Sequence, residues 1–371
     1  MDDGFERFSR VRWVFKRIFT DPIANYLPAG FLRGLLRFGK SELAHANWAD
    51  PGGWRSMVIS YDGKPRQWAD RILVSGGAVS MALRNRLRLA SSLLAELIDK
   101  AASESATKPI HVLCLGAGPG QVVVRAMELA TSHSRATLVD INPDAFSFGR
   151  ELAARRGLME RVSFICGDCR DVKTYLTEPP AIVKMLGICE YLTDRQIVDI
   201  ASCAAAVMPA GSPIIFNNIT RRHGNDRFLR RVFGLHMAYR TCDELCALMR
   251  TAGFDDFVIH NEPLGVYSVI VGHRARAPVA VTGGLAKAAG GMATLSGSVP
   301  AAAGLAGVAA VSPAIIADAV PTARAADIAP AAGTAPMATA TGPVGTTATS
   351  AAGGPSSAGP PAGAPGTVGH G

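Results

Sequence analysis

The feature that most constrains the fold is a glycine-rich turn between an apolar segment and a helical one. The sequence HVLCLGAGPGQ (His111–Gln121) places Gly116, Gly118 and Gly120 directly after an apolar run. Glycine tolerates backbone angles that other residues avoid, and it lets a ligand approach the main chain closely. The helix that follows offers free N–H groups at its N-terminus. The pattern therefore predicts a strand, a ligand-binding turn and a helix, in that order.

From residue 110 onward, apolar segments of strand length alternate with segments of helical spacing, as in a parallel α/β sheet. We predict strands at Ile110–Leu115, Ala136–Ile141, Val162–Ile165, Ala181–Leu186, Ile214–Asn217, Asp256–His260 and Val266–Gly272. We predict helices at 77–101, Gln121–Thr131, Pro143–Arg156, Thr193–Val207 and Thr241–Ala252. The link NEPLG before the last strand is too short for a helical crossover, so the last two strands should pair antiparallel. The predicted fold class is α/β, with a Rossmann-like, mainly parallel seven-stranded sheet that ends in an antiparallel hairpin.

Composition divides the 371-residue chain. Residues 275–371 contain 59 Ala, Gly or Pro among 97 residues and no aromatic residue, so they have little to bury against the entropy of ordering. We predict a helical N-terminal extension at 1–76, the α/β domain at 77–274 and a disordered tail at 275–371. Within the tail, Ala288–Ala317 carries no charge, but it is rich in Ala and Gly and interrupted by prolines, so we do not expect a membrane span.

The N-terminal segment combines apolar and basic residues. In FERFSRVRWVFKRIF, five apolar residues share helical spacing, and most of the basic residues fall elsewhere on the helix. A similar segment follows at Phe31–Lys40. Two interpretations stay open: a cap packed on the domain with a solvated basic face, or a helix at a membrane surface or over the site that admits an amphipathic substrate. The net charge of +8 favours an anionic partner, whether nucleic acid, acidic lipid or substrate.

Cysteine usage and the start of the chain bear on its compartment. The seven cysteines are odd in number and lie within predicted strands or helices, which indicates reduced, buried thiols in a cytoplasmic protein. The acidic start MDDGFERFSR lacks the early apolar run of a secretory signal. Cys166 and Cys169 form C-x-x-C without a second pair at zinc spacing, so we expect no metal. The expected location is cytoplasmic, with peripheral membrane contact through the basic N-terminal helices.

An acidic residue after the turn indicates the kind of ligand. Asp140 ends the next predicted strand, twenty residues after Gly120, where a carboxylate can accept hydrogen bonds from both hydroxyls of a ribose. A dinucleotide fingerprint would need glycine at position 121, which is Gln121. The spacing G-x-G-x-G instead resembles the first motif of the class I S-adenosylmethionine-dependent methyltransferases.

That resemblance extends over roughly residues 77–273, through VSFICGDCRDV, AIVKMLGICEYL, VMPAGSPIIFNNI and YRTCDELCALMRTAGF. It implies S-adenosylmethionine as cofactor, with Asp168 reaching the adenine amino group and Leu186 ending the strand beside the methionine arm. The cofactor-binding residues that it implies are Gly116, Ala117, Gly118, Gly120, Asp140, Ile141, Asp168, Cys169 and Leu186. Structural alternatives are a tight turn without ligand, a helix N-cap at Asp140 and a loop cap at Asp168.

Candidate catalytic residues follow from the chemistry of methyl transfer. The reaction is an in-line displacement that needs an aligned acceptor atom, and many acceptors also need a base. Glu190 follows the fourth predicted strand and ranks first as base, ahead of His236 and His223. We expect Tyr239, Arg240 and Arg221 to line the acceptor pocket. Each could equally be a structural or solvated residue.

The leading hypothesis is methyl transfer from S-adenosylmethionine to a small-molecule or lipid-like, anionic acceptor. An RNA methyltransferase is the main alternative, but [DNS]-P-P-[YFW] and Pro-Cys motifs are missing at the fourth strand. A nicotinamide-dependent oxidoreductase is disfavoured by Gln121. A non-catalytic member that binds the cofactor, or an interaction module that uses the tail, also stays open, as does the oligomeric state.

Overall fold

The computed structural model describes residues 4–104 and 109–276, which belong to one compact unit. Residues 277–371 of the predicted tail, including the uncharged segment Ala288–Ala317, lie outside the described residues. The boundary between residues 76 and 77 stays a prediction.

A seven-stranded sheet organises the described residues. Its order is β3-β2-β1-β4-β5-β7-β6. The strands are β1 (Ile110–Leu115), β2 (Ser134–Asp140), β3 (Val162–Cys166), β4 (Ile182–Met185), β5 (Pro213–Ile219), β6 (Phe254–Asn261) and β7 (Tyr267–Arg274). Strands β1 to β5 pair parallel, whereas β7 pairs antiparallel with both β5 and β6. The predicted fold class is confirmed, and the ends of the predicted strands differ from the observed ones by at most two residues.

Helices cover both faces of the sheet and form most of the N-terminal region. They are α1 (Arg10–Phe15), α2 (Asp21–Tyr26), α3 (Ala29–Phe38), α4 (Glu42–Ala49), α5 (Trp54–Asp62), α6 (Trp68–Asp70), α7 (Ala78–Glu104), α8 (Gln121–Leu129), α9 (Asp144–Arg155), α10 (Val172–Tyr175), α11 (Asp194–Val207), α12 (Asp226–Phe228) and α13 (Cys242–Thr251). Wider π-helical turns lie at Lys16–Thr20, Arg71–Ser75 and Leu229–Phe233. Helices α11 and α13 begin at capping boxes on Thr193 and Thr241, which satisfy N–H groups that have no partner within the helix.

The core lies on both faces of the sheet, as a parallel sheet requires. All six residues of β1 are buried. One apolar cluster packs the sheet against α7 and α8, and a second packs it against α11 and α13. A third cluster joins the N-terminal region to the domain, where Leu32 and Leu36 pack against Phe228, Leu229 and Val232. The segment after β5 is thus the platform on which the N-terminal helices rest.

Two expectations about exposure need correction. All seven cysteines are free thiols, but Cys166 is exposed, and Cys203 and Cys242 are only partly buried. Cys166 is the last residue of β3, an edge strand that has a neighbour on one side only. In the N-terminal helix, Phe15 and Ile18 are exposed, contrary to the interpretation in which they pack on the domain.

The described part of the chain contains neither a cluster suited to a metal ion nor a helix suited to spanning a bilayer. In residues 4–104 and 109–276, no group of three or more His, Cys, Asp or Glu side chains could hold a metal ion. No helix in that part of the chain is both long and apolar enough to cross a bilayer.

Candidate methyl-transfer site

The glycine-rich turn leaves β1 in a conformation that requires glycine. Gly116, Gly118 and Gly120 have φ of +59°, +52° and +77°. A Cβ on Gly116 would overlap the side chain of Ile188, and a Cβ on Gly120 would overlap Leu138. The turn therefore needs glycine both for its backbone angles and for its close packing.

Asp140 lies beside this turn at the carboxyl end of β2 and is partly exposed. Its Oδ2 accepts a hydrogen bond from the Gly118 N–H at 2.7 Å, and its Oδ1 accepts one from the Asn142 N–H at 2.9 Å. A carboxylate oxygen can accept a second bond, so both oxygens keep capacity for a pair of hydroxyls. Asp140 does not cap α9, since its N-cap position is Pro143.

The other predicted cofactor residues lie around the same edge of the sheet. Ala117, Cys169 and Leu186 are buried, whereas Ile141 is 69% exposed. Asp168 accepts hydrogen bonds from the backbone N–H of Arg170 at 2.8 Å and from its guanidinium at 2.6 Å. These bonds hold the pKa of Asp168 below its usual value despite partial burial. Burial raises the pKa of the Cys169 thiol to about 12, so it stays protonated.

The position of the turn in the sheet matches a ligand site. Strand order reverses between β1 and β4, and ligands of open α/β sheets bind at that point, outside the carboxyl ends of the strands. Gly116 follows β1, and Ile188, which it contacts closely, follows β4. The three glycines of the turn and the partly exposed carboxylate of Asp140 fit a nucleoside with two free ribose hydroxyls.

The N-terminal region reaches the turn, a placement that sequence reasoning missed. The Cβ of Trp54 lies 3.8 Å from the position that a Cβ on Gly118 would take. The ring of Trp54 packs against Phe148, with centroids 6.0 Å apart. A Cβ on Gly52 would contact the hydroxyl of Tyr191, in the loop after β4. Trp54 therefore lies beside the glycine-rich turn, and Gly52 lies beside the loop after β4.

Glu190 is buried in the loop after β4, against Arg86 of α7. Arg86 Nη1 is 3.4 Å from Glu190 Oε1, and Arg86 Nη2 donates to the Tyr61 hydroxyl at 2.7 Å. The guanidinium also lies over the ring of Tyr267, 4.7 Å from its centroid. Within the described chain, Arg86 Nε and Glu190 Oε2 are buried without a hydrogen-bond partner. Unpaired buried polar atoms are unfavourable, so we call this cluster incomplete: two of its atoms lack a hydrogen-bond partner that a bound group could supply.

Sequence reasoning missed Arg86, although a signal was present. Arg86 lies four residues from both Ala82 and Ala90 on α7, and both alanines are fully buried. Helical spacing therefore places a charge on the apolar face of α7. An arginine in that position needs a partner, which here is Glu190, 104 residues later.

The predicted acceptor residues separate into different surroundings. Tyr239 donates to Asp226 at 2.9 Å and contacts His223, while the guanidinium of Arg221 lies over its ring. Burial, followed by Asp226, raises the pKa of Tyr239, and burial lowers the pKa of His223 to about 4. The ring of Tyr239 packs in the same apolar cluster as Tyr61.

Arg240 and His236 occupy simpler positions. Arg240 donates to the carbonyl oxygens of Cys189 and Leu192 at 2.8 and 2.7 Å, and it pairs with Asp194. It therefore holds the loop that carries Glu190. His236 is exposed. A small pocket is lined by Glu190 and Arg240, together with Asn217 and Asn218.

A larger groove lies at the opposite edge of the sheet. It is lined by Pro213 at the start of β5 and by Arg274 at the end of β7. Because the glycine-rich turn lies at the carboxyl ends of the parallel strands, this groove is remote from the methyl-transfer chemistry.

Comparison with known proteins decides the family. Residues 72–274 match the model of a family described as "Putative methyltransferase", which covers more than half of the chain. The chain belongs to this methyltransferase family. The resemblance to class I enzymes is confirmed, and S-adenosylmethionine is the cofactor of the methyltransferase.

Individual relatives of the methyltransferase are distant. A possible exported protein from Bordetella parapertussis superposes with a TM-score of 0.50 at 12% identity, over 67% of this chain and 97% of that one. Magnesium protoporphyrin IX methyltransferase from Synechocystis PCC 6803 gives a TM-score of 0.45 at 12% identity, over 66% and 99%. The Escherichia coli K12 protein YnbC is 26% identical over 171 residues, 43% of this chain, and the methyltransferase spans only 29% of its length. The Bordetella structure supports the fold alone.

Proposed function

We propose that this methyltransferase transfers a methyl group from S-adenosylmethionine to a small-molecule or lipid-like acceptor that carries negative charge. The observation that carries the proposal is the incomplete cluster of Arg86 and Glu190. It joins Arg86 of α7 to Glu190 in the loop after β4, beside the switch point of the sheet. A guanidinium buried with one N–H unpaired is suited to an anionic group.

The chain's own residues have separate tasks in this proposal. Bound S-adenosylmethionine supplies an electrophilic methyl group on a sulfonium. Asp140 would accept the ribose hydroxyls, while the main chain of the turn accommodates the nucleoside. Trp54, whose Cβ lies close to Gly118, would help to exclude water from the turn once the cofactor is bound. Exclusion of water matters because it strengthens polar contacts within the site and protects the methyl donor from hydrolysis.

Glu190 and Arg86 would act on the acceptor. Glu190 Oε2 has no hydrogen-bond partner within the described residues, so it is free to accept a bond from a hydroxyl or amine of the acceptor. The same oxygen would take the proton that the acceptor loses when it is methylated. Arg86 would orient an anionic group of the acceptor, and Arg240 acts indirectly by holding the loop of Glu190. Arg86 and Glu190 are thus the specificity and base candidates.

The same arrangement favours a small acceptor over RNA. The Arg86–Glu190 cluster is buried, and both charged side chains are only 3% exposed. RNA recognition usually uses accessible basic surfaces and stacking aromatic residues around a single-stranded base. A compact acceptor can bind at a buried cluster without unfolding the helices around it.

A transfer assay with radiolabelled methyl donor tests the proposal. The full-length protein is incubated separately with lipid, small-metabolite and RNA extracts, and the pool that acquires label is identified. Label in the lipid or metabolite pool, lost in Glu190→Gln but retained in the exposed control Glu151→Gln, supports the proposal. Label in RNA would favour the RNA alternative. Cofactor binding without transfer to any pool would favour a non-catalytic role.

A further inference from the structure

The first helical segment of the chain buries a charged residue and exposes its apolar residues. Among residues 10–20, only Lys16 is buried. Its ammonium donates to the Asp21 carboxylate at 2.5 Å and to the carbonyl of His223 at 2.7 Å. An amphipathic helix on a protein surface ordinarily buries its apolar side and exposes its charges. Here a lysine faces the domain and the apolar residues face outward.

The outward apolar residues are numerous and large. Phe15 and Ile18 are each 58% exposed, and Phe38 is 81% exposed. We call the exposed large apolar residues of this region the N-terminal apolar surface: Val11, Trp13, Val14, Phe15, Ile18, Phe19, Ile23, Tyr26, Phe31, Leu35 and Phe38. Isolated exposed apolar residues are normal, but a concentration of this kind indicates a partner or a membrane.

The charge of the same region is positive. Residues 4–41 contain eight Lys or Arg against two acidic residues. Both acids are already paired: Glu6 with Arg84 and Arg88, and Asp21 with Lys16. No acidic side chain in this segment is therefore left to repel an anionic surface. Exposed basic residues of the segment include Arg10, Arg37 and Lys40.

Hydrogen bonds hold the helices in this outward orientation. The Asn25 amide donates to the carbonyl of Gly224 at 2.8 Å, and its oxygen accepts from the Phe228 N–H at 3.0 Å. Arg33 donates to the carbonyl oxygens of Val232 and Arg231. These polar contacts fix the inner side of the helices to the segment after β5. The apolar side chains are consequently presented to the surroundings on a stable support.

We propose that the N-terminal apolar surface docks on an anionic lipid bilayer. Aromatic and aliphatic side chains would enter the boundary between headgroups and acyl chains, and the arginines and lysines would pair with acidic headgroups. Charge complementarity favours lipid over a second copy of the chain, because two copies would bring the same positive charges together. This role is a binding activity and goes beyond the methyl-transfer reaction.

Vesicle co-sedimentation of the full-length protein tests this proposal. The probes are phosphatidylcholine vesicles and vesicles with about 30% phosphatidylglycerol, each at low and high salt. The test variant combines Phe15→Ser, Ile18→Ser and Phe19→Ser. The matched control combines Leu129→Ser, Met159→Ser and Ile259→Ser, which are exposed apolar residues outside this surface. We expect salt-sensitive binding to the anionic vesicles, weakened at least about tenfold in the test variant and unchanged in the control.

Three results would overturn the proposal. The first is an absence of binding to anionic vesicles, and the second is equal binding by both serine variants. The third is a dimer, seen by light scattering in the unaltered protein and dissociated in the test variant, with no protein recovered on vesicles; it would assign the surface to self-association. The readout is partitioning and not methyl transfer, so it stays informative whatever the acceptor is.

Discussion

Two regions of this methyltransferase bury a charged pair, and their apolar residues point in opposite directions. Arg86 and Glu190 are buried, and Arg86 lies against Tyr61 and Tyr267 of an apolar cluster. Around Lys16 and Asp21, the apolar side chains turn away from the protein. In the first region the charges lie inside a core, whereas in the second they attach a helix whose apolar side is left for another partner. Charge burial alone therefore does not reveal what a region does.

Removing the cation of each buried pair should have the largest effect, and it tests directly whether the two pairs differ in their contribution to stability. We expect Arg86→Met to lower the free energy of unfolding by about 3–5 kcal/mol, because it leaves Glu190 buried without its cation. The double variant Arg86→Met, Glu190→Leu should recover much of that loss. Lys16→Met should cost less, since Arg17 lies 3.5 Å from the other oxygen of Asp21. Chemical denaturation measures all three, and equal losses for the two single variants would remove the distinction.

His223 lies where the two regions meet, and it makes stability depend on pH. Its pKa is lowered from 6.5 to about 4 by burial, so between these values the unfolded chain binds the proton and the folded chain does not. The free energy of unfolding is unaffected by this histidine above pH 6.5. As pH falls below that value, the free energy of unfolding decreases, and the decrease reaches about 3 kcal/mol at pH 4.

His223→Gln should therefore flatten the fall in unfolding free energy between pH 6.5 and 4. Denaturation at several pH values measures it, and the exposed His133→Gln should keep the original slope. His111, whose pKa burial also lowers to about 4, remains in both variants and leaves a residual slope. A profile for His223→Gln as steep as that of the unaltered protein would contradict the burial argument.

Loss of the Asp140 carboxylate, which we expect to bind the ribose, should have a smaller effect, on cofactor binding only. We expect Asp140→Ala to weaken binding of S-adenosylhomocysteine by about tenfold to a hundredfold, or about 1.5–3 kcal/mol. Asp144→Ala removes a nearby exposed carboxylate and serves as the control. Titration calorimetry decides the matter: identical affinities for the two variants would exclude Asp140 from the cofactor site.

The smallest expected effect is on stability at the N-terminal apolar surface. The combined Phe15→Ser, Ile18→Ser and Phe19→Ser variant should change the free energy of unfolding by no more than about 1 kcal/mol, because these side chains are already exposed. A thermal or chemical denaturation curve that shifts much further would mean that the residues pack on the protein after all.

Local patterns were sufficient to predict most of the sheet and the glycine-rich turn. Strand β1 begins and ends as predicted because its apolar run is bounded by Pro109 and by Gly116. The position of Asp140 at the end of β2, beside the turn, was predicted from its distance along the chain because the βα unit has a nearly constant length. Those features depend on neighbours in sequence.

Other features depend on neighbours that are distant in sequence. The partner of Arg86 lies more than a hundred residues away, and Trp54 reaches the turn from outside the predicted domain. The orientation of the first helix could not be predicted from the sequence either. Helical spacing groups its apolar residues on one side but does not state which side faces the protein, and that depends on the carbonyl of His223 accepting a bond from Lys16.

Strand β7 lies between β5 and β6, so the last strand of the sheet is an interior one. Until Tyr267–Arg274 has left the ribosome, β5 has no neighbour on one side and β6 has no place in the sheet. The domain must therefore complete its fold late in synthesis, and a nascent chain stalled before that point would present two open edges to chaperones.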